Sequence, residues 1–152
     1  MKRSYDVITA LQGRTLVTAE SCTGGGIGAA LTSVPGSSGV YKGGIISYTN
    51  AVKQSLLGVK AETLESYGAV SEPVACQMAE GARKKLCADY GVSVTGLAGP
   101  AGDEFGNPVG TVYIGFSDNC HTVVQKFLFT GDRETIRNQA ICAALDMILQ
   151  NI

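Results

Sequence analysis

Apolar positions along the chain follow two rhythms, and the places where one gives way to the other mark the elements. Val7, Ile8 and Leu11 share a face at helical spacing, which predicts a short opening helix over residues 4 to 12 with Ser4 as its cap. The β-branched run Thr15-Leu16-Val17-Thr18 predicts a strand over 14 to 19. Ile27-Gly28-Ala29-Ala30-Leu31 then reads as a helix to about Val34, before the break Pro35-Gly36-Ser37-Ser38-Gly39. Val40 to Tyr48 is a second strand, bulged at its glycines. Thr49 or Asn50 caps a helix through Lys53 and Leu56-Leu57 that Gly58 closes.

A further helix over Ala61 to Tyr67 stops at Gly68. Ser71 and Pro73 open a longer one with Val74, Met78, Ala82 and Leu86 on one face. Gly91 to Leu97 is a strand that runs into the long loop 98–108. Val109 to Phe116 and His121 to Phe129 form a hairpin, and a last helix starts at Asp132 with Ile136, Ala140, Ala143, Ala144, Met147 and Ile148 inward. Strand-helix units followed by one antiparallel hairpin predict an α/β fold: a three-layer α/β/α sandwich with a mixed sheet, formed as a single domain over 1–152. In such sheets sites gather where loops leave the carboxyl ends of strands. Here those are the Ser21 loop, the Tyr48 segment and the 98–108 loop, which the fold would bring to one crevice.

Composition narrows the function classes. With 45% hydrophobic and 16% charged residues, 152 residues suffice for one substantial core. A net charge of -1 leaves no electrostatic footprint for nucleic acid or an anionic membrane, so a small ligand is expected. No apolar stretch follows Lys2-Arg3 and none approaches a membrane span, which makes the cytoplasm the expected compartment. The five cysteines contain no C-x-x-C pair, which argues against a disulfide framework or a zinc site. Four of them fall in apolar or helical surroundings; Cys22 alone has a chemical alternative. The single histidine, His121, lies in a strand-like alternating run and reads as a surface or edge residue, which weakens histidine-based hydrolysis.

Ala19-Glu20-Ser21-Cys22-Thr23-Gly24-Gly25-Gly26 sits between strand and helix, where helical N–H groups are unpaired and glycines let a ligand approach the backbone. One reading makes Ser21 or Thr23 a helix cap in a tight turn. The other makes Ser21 a nucleophile, which then needs a base other than histidine; a lysine with a lowered pKa is the usual substitute. Lys53, just past the second strand among neighbours of low charge, is the best-placed candidate, with Tyr48 as proton relay; the alternative is a solvated lysine and a half-buried tyrosine. Tyr48 and Lys53 are five apart, not the four of the Tyr-x-x-x-Lys dehydrogenases, and there is no G-x-S-x-G elbow. Arg133 and Arg137 share a face at a helix N-terminus, where cations gain little unless an anion binds; pairing with Asp132 or Glu134 is the alternative. Asp103 and Glu104 read more readily as solvated acids than as a cation site.

Several segments taken together carry a more specific signal. Ala-Glu-Ser-Cys-Thr-Gly-Gly (19–25), Pro-Gly-Ser-Ser (35–38), Ile-Ser-Tyr-Thr-Asn-Ala-Val-Lys (46–53), Leu-Gly-Val (57–59), Gly-Ala-Val-Ser-Glu (68–72), Val-Thr-Gly-Leu-Ala-Gly-Pro (94–100), Pro-Val-Gly-Thr-Val (108–112) and Gly-Asp-Arg (131–133) resemble the CinA C-terminal domain family. The resemblance runs over nearly the whole chain, in order, and is to the stand-alone form. It implies a nicotinamide-nucleotide amidase that converts nicotinamide mononucleotide to nicotinate mononucleotide and ammonia. It implies Ser21 as nucleophile, Lys53 as base and Tyr48 as hydrogen-bonding or proton-transfer partner. In the mechanism it suggests, the N–H groups of Thr23, Gly24 or Gly25 hold the oxyanion. Gly96, Gly99, Arg133 and Arg137 contact the substrate, with Arg133, or Arg133 together with Arg137, on the 5′-phosphate. No cofactor or metal is called for. The expected partners are a small-molecule nucleotide and further copies of the chain as a homo-oligomer, with neither nucleic acid nor membrane. A third glycine at Gly26, and Ala101 with Asp103-Glu104-Phe105, depart from the family pattern. Two alternatives stay open: a catalytically silent nucleotide-binding domain, and a thiol enzyme using Cys22. Cap and nucleophile are not exclusive roles for the loop: Thr23 can cap the helix while Ser21 faces the crevice.

Overall fold

A computed structural model describes the chain from Met1 to Ile152. The elements in order are α1 (Lys2–Ala10), β1 (Leu16–Glu20), α2 (Gly26–Thr32), β2 (Tyr41–Ile46), α3 (Asn50–Leu57), α4 (Ala61–Tyr67), α5 (Glu72–Lys85), β3 (Tyr90–Gly96), β4 (Thr111–Ser117), β5 (Thr122–Leu128) and α6 (Arg133–Asn151). The sheet is mixed and five-stranded, in the order β2-β1-β3-β4-β5. β1 runs parallel to both β2 and β3, while β4 is antiparallel to its two neighbours. This is the three-layer α/β/α architecture that the sequence predicts. No helix is long and apolar enough to cross a membrane.

The two faces of β1 show why three layers form. Leu16 enters a core with Val7, Ile27, Leu31, Ile136 and Ile148 from α1, α2 and α6, whereas Val17 and Ala19 enter a second core with Leu57, Leu64, Val74 and Met78 from α3, α4 and α5. All five residues of β1 are buried, as a central parallel strand covered on both sides must be. On the second face α5 lies close to the sheet, where Ser93 Oγ donates to the Ala75 carbonyl at 2.6 Å. It lies equally close to α3: a Cβ on Gly81 would collide with the Leu57 carbonyl, so only glycine lets the helix that carries Lys53 pack this deep.

β2 is bulged as predicted, but at Lys42, just before the glycines expected to carry the bulge. Leu16 pairs with Tyr41 and Val17 with Gly43, which leaves Lys42 as the extra residue. Three local expectations are corrected. Ser4 is not a cap but an internal, buried residue of α1, which begins at Lys2 with Met1 at the cap position. Ser71 precedes α5, but its hydroxyl donates back to the Gly68 carbonyl instead of capping. Cys87 and Cys120 are exposed, not packed; one lies just past α5 and the other in the β4–β5 turn, where the chain leaves the core.

Candidate active site

β1 ends between two strands that hold its last residues in place. Ser47 N–H donates to the Glu20 carbonyl at 2.8 Å and Ser21 N–H donates to the Val94 carbonyl at 3.0 Å. Successive side chains at a strand end point to opposite faces, so Glu20 turns toward α2 and Ser21 toward α3. On the other side of the crevice Thr49 Oγ1 accepts from Val52 N–H at 3.3 Å and starts α3. Lys53, in the first turns of this helix, is carried inward by the packing on α5. Its amine donates to Ser21 Oγ at 3.0 Å and to the Ser47 carbonyl at 2.8 Å, with a weaker contact to the Tyr48 carbonyl at 3.4 Å.

Lys53 is 1% exposed. The only ion pairs in the fold, Arg3–Asp146 and His121–Asp118, involve other residues, so no carboxylate offsets its charge. Burial therefore pulls its pKa down from the ordinary lysine value to about 8. Burial acts in the opposite sense on the neighbouring Cys22 thiol and pushes it up to about 11. At neutral pH Cys22 is a thiol without nucleophilic power, whereas Ser21 faces an amine that is partly unprotonated.

Ser21, Cys22, Lys53 and Tyr48 line a cavity of about 340 Å³, together with Gly96, Gly99 and Arg133. Tyr48 is largely exposed at the mouth, and its hydroxyl accepts from the Arg133 guanidinium at 3.2 Å. Arg133 also donates to the Gly99 carbonyl. The N-terminus of α6, the Tyr48 segment and the 98–108 loop thus meet at one rim. A model of the CinA C-terminal domain matches residues 2–152. The chain belongs to the CinA C-terminal domain family. A CinA-like protein of Parasynechococcus marenigrum is 49% identical over 142 residues, which are 92% of this chain and 34% of that protein. A CinA-like protein of Gloeothece citriformis is 48% identical over 143 residues, with 91% and 34% covered. The chain spans about a third of the length of these curated relatives. Among solved structures, competence damage-inducible protein A from Klebsiella pneumoniae superposes with a TM-score of 0.96 at 36% identity, over 99% of this chain and 94% of that one. A CinA superfamily protein from Escherichia coli gives 0.92 at 37% identity, over 98% and 86%.

Within this CinA-family domain the site residues named from sequence divide into two groups. Ser21, Tyr48, Lys53, Gly96, Gly99 and Arg133 converge on the cavity. Thr23, Gly24, Gly25 and Arg137 do not line it. Thr23 does not cap α2: its hydroxyl donates to Glu20 Oε1 at 2.7 Å. Gly24 N–H is used within the turn, donating to the Ser21 carbonyl at 3.1 Å. Gly24 and Gly25 have φ of +59° and +97°, a left-handed pair that brings the chain from strand into helix, and this accounts for their identity without a ligand. Arg137 donates to the carbonyls of Cys22 and Thr23 at 2.9 and 3.2 Å, so it buttresses the Ser21 loop from behind. Neither arginine pairs with Asp132 or Glu134; Asp132 caps α6 by accepting from Thr135 N–H at 2.8 Å.

The backbone N–H groups of Cys22, Thr23 and Gly25 have no acceptor within the protein, unlike that of Gly24, and of the three residues only Cys22 lines the cavity. Sequence reasoning passes over Cys22 N–H as a donor, although the residue after a nucleophile on a strand-to-helix turn commonly supplies one. It also passes over the Ser47 carbonyl, a backbone acceptor with no side-chain signature. Glu104 is exposed, as expected of a solvated acid, whereas Asp103 is half-buried: its carboxylate accepts from Phe105 N–H, Asn107 N–H and the Asn107 amide, and so shapes the loop. His121 is exposed beside Asp118 at the β4–β5 turn, at the opposite end of the sheet from this crevice.

Proposed function

We propose that this domain is an amidohydrolase of the serine-lysine type acting on nicotinamide mononucleotide. The observation that carries the reading is the buried contact of 3.0 Å between Lys53 Nζ and Ser21 Oγ, with the lysine pKa drawn to about 8. A neutral amine has two N–H groups and one lone pair. The Ser47 and Tyr48 carbonyls can accept both N–H groups, which leaves the lone pair facing the Ser21 hydroxyl. Carbonyl acceptors thus aim the base as well as hold it.

In the proposed reaction Ser21 Oγ bonds to the amide carbon while its proton passes to Lys53. The N–H group of Cys22, which lines the cavity, is the available donor to the oxyanion, a contribution worth about 100- to 1,000-fold in rate. The C–N bond then breaks, Lys53 returns the proton to the departing ammonia, and water releases the acid from the acyl-enzyme by the same route. Arg133 on the cavity rim is the group suited to a 5′-phosphate, and Tyr48 beside it can donate its hydroxyl proton inward because it already accepts from Arg133.

The test is ammonia release from nicotinamide mononucleotide by wild type, Ser21→Ala, Cys22→Ala and Lys53→Ala. Turnover by wild type and Cys22→Ala, with loss in the other two, is expected. No ammonia from wild type would leave a silent nucleotide-binding domain, and loss with Cys22→Ala alone would point to thiol chemistry.

A further inference from the structure

Glu20 is the one acid in the chain that is almost wholly enclosed, at 1% exposure, and it immediately precedes Ser21. No cation pairs with it. Its carboxylate is satisfied by neutral donors instead: Oε1 accepts from Thr23 Oγ1 at 2.7 Å and Ile27 N–H at 2.9 Å, and Oε2 accepts from Gly28 N–H at 3.0 Å and Thr18 Oγ1 at 3.3 Å. A buried carboxylate without such bonds would be costly. The two backbone donors belong to the first turn of α2, which has no other side-chain cap. The anion that a helix N-terminus attracts is therefore supplied from within, and α2 offers no free anion site to a substrate.

We infer that Glu20 is a positioning residue for the nucleophile loop, an inference that rests on the reading of Ser21 as nucleophile. Its backbone is held by β2 through Ser47 N–H, and the next residue is held by β3, while its side chain holds Thr23, Ile27 and Gly28. The segment between these anchors carries the Cys22 N–H group, which faces no protein acceptor and belongs to a residue lining the cavity. One carboxylate thus fixes where that donor lies relative to Ser21 Oγ. Charge and shape both matter. Each oxygen accepts one backbone N–H, so a carboxamide of the same size must turn its NH₂ toward either Ile27 or Gly28, and one donor then meets a donor.

The experiment compares wild type with Glu20→Gln by two readouts: kcat and KM on nicotinamide mononucleotide, and the rate of Ser21 modification by an alkyl fluorophosphonate followed by intact mass. In the second, an Oγ–P bond forms, P–F breaks, fluoride leaves and the proton goes to Lys53, with the phosphoryl oxygen where an oxyanion would sit. The rate constant reports positioning per reactive molecule, whereas a loss of folded protein lowers only the final extent. Glu20→Gln should lower kcat and the labelling rate constant about tenfold or more, with KM within about twofold, because the lost geometry acts on the transition state. Thr23→Val, which removes one donor to Oε1, should lower the labelling rate constant by about threefold and carries the comparison if Glu20→Gln does not fold. Labelling constants unchanged in the folded variant would overturn the inference. Labelling without nicotinamide mononucleotide turnover would discard the amidase reading and leave Glu20 testable on the reagent; absence of both would remove the nucleophile and this inference with it.

Discussion

Lys53 reaches Ser21, on the turn after β1, from α3, 32 positions along the chain, and its amine stands 3.0 Å from the serine oxygen without a carboxylate partner. Desolvation without a counter-charge is what makes a lysine basic chemistry's equivalent of histidine, because it brings the neutral form into reach near physiological pH.

The first consequence is a pH dependence. Only unprotonated Lys53 can accept the serine proton, and its pKa is about 8. kcat/KM should climb about tenfold per pH unit below that value and flatten above it. A pH–rate profile from pH 6 to 10 measures this; a profile flat between 6 and 8 would mean that Lys53 is not the base.

The same shift acts on stability. The folded pKa of about 8 lies below the value near 10.4 of an unfolded lysine. Between these values the unfolded chain holds a proton that the folded chain has released, so stability rises with pH across this window. Below about 8 both states are protonated, and the cost of the buried ammonium is constant. Lys53→Met should abolish activity by about 1,000-fold. In urea titrations at pH 7 and 9.5, wild type should gain stability relative to this variant at the higher pH; an unchanged difference would contradict the burial assigned to the amine.

Arg133 and Tyr48 should separate in kinetics. Arg133→Ala should raise KM for the phosphorylated substrate by about 10- to 100-fold, the range of a charge-assisted hydrogen bond. On the phosphate-free riboside it should change little beyond the loss of its bond to Tyr48. Tyr48→Phe should lower kcat about tenfold or more on both substrates. Steady-state kinetics on the two substrates checks both, and equal effects of Arg133→Ala on each would move the phosphate elsewhere.

Much of this arrangement can be read from the chain because its causes are local. The change from β-branched residues to Ile27-Gly28-Ala29-Ala30-Leu31 places the Ser21 turn, and Thr49 with Gly58 bounds the helix of Lys53. What cannot be read is where a side chain goes when its partners lie across the fold. Arg133 and Arg137 have the same spacing and composition around them, yet one faces the cavity rim and the other supports the carbonyls of residues 22 and 23, a difference fixed only by how α6 crosses the sheet. Thr23 looks like a cap by residue type, but the carboxylate at Glu20 reaches the helix donors first. Cys87 and Cys120 look like core residues by composition and are exposed because each sits where an element has already ended.

Trapping the covalent intermediate tests the chemistry most directly. Wild type mixed with nicotinamide mononucleotide, quenched in acid within the first turnover and digested, should yield the peptide containing Ser21 with the nicotinoyl-mononucleotide acyl group, assigned to Ser21 by fragmentation. Cys22→Ala should give the same adduct and Ser21→Ala none. An adduct on Cys22, or ammonia release undiminished in Ser21→Ala, would contradict the serine-lysine mechanism.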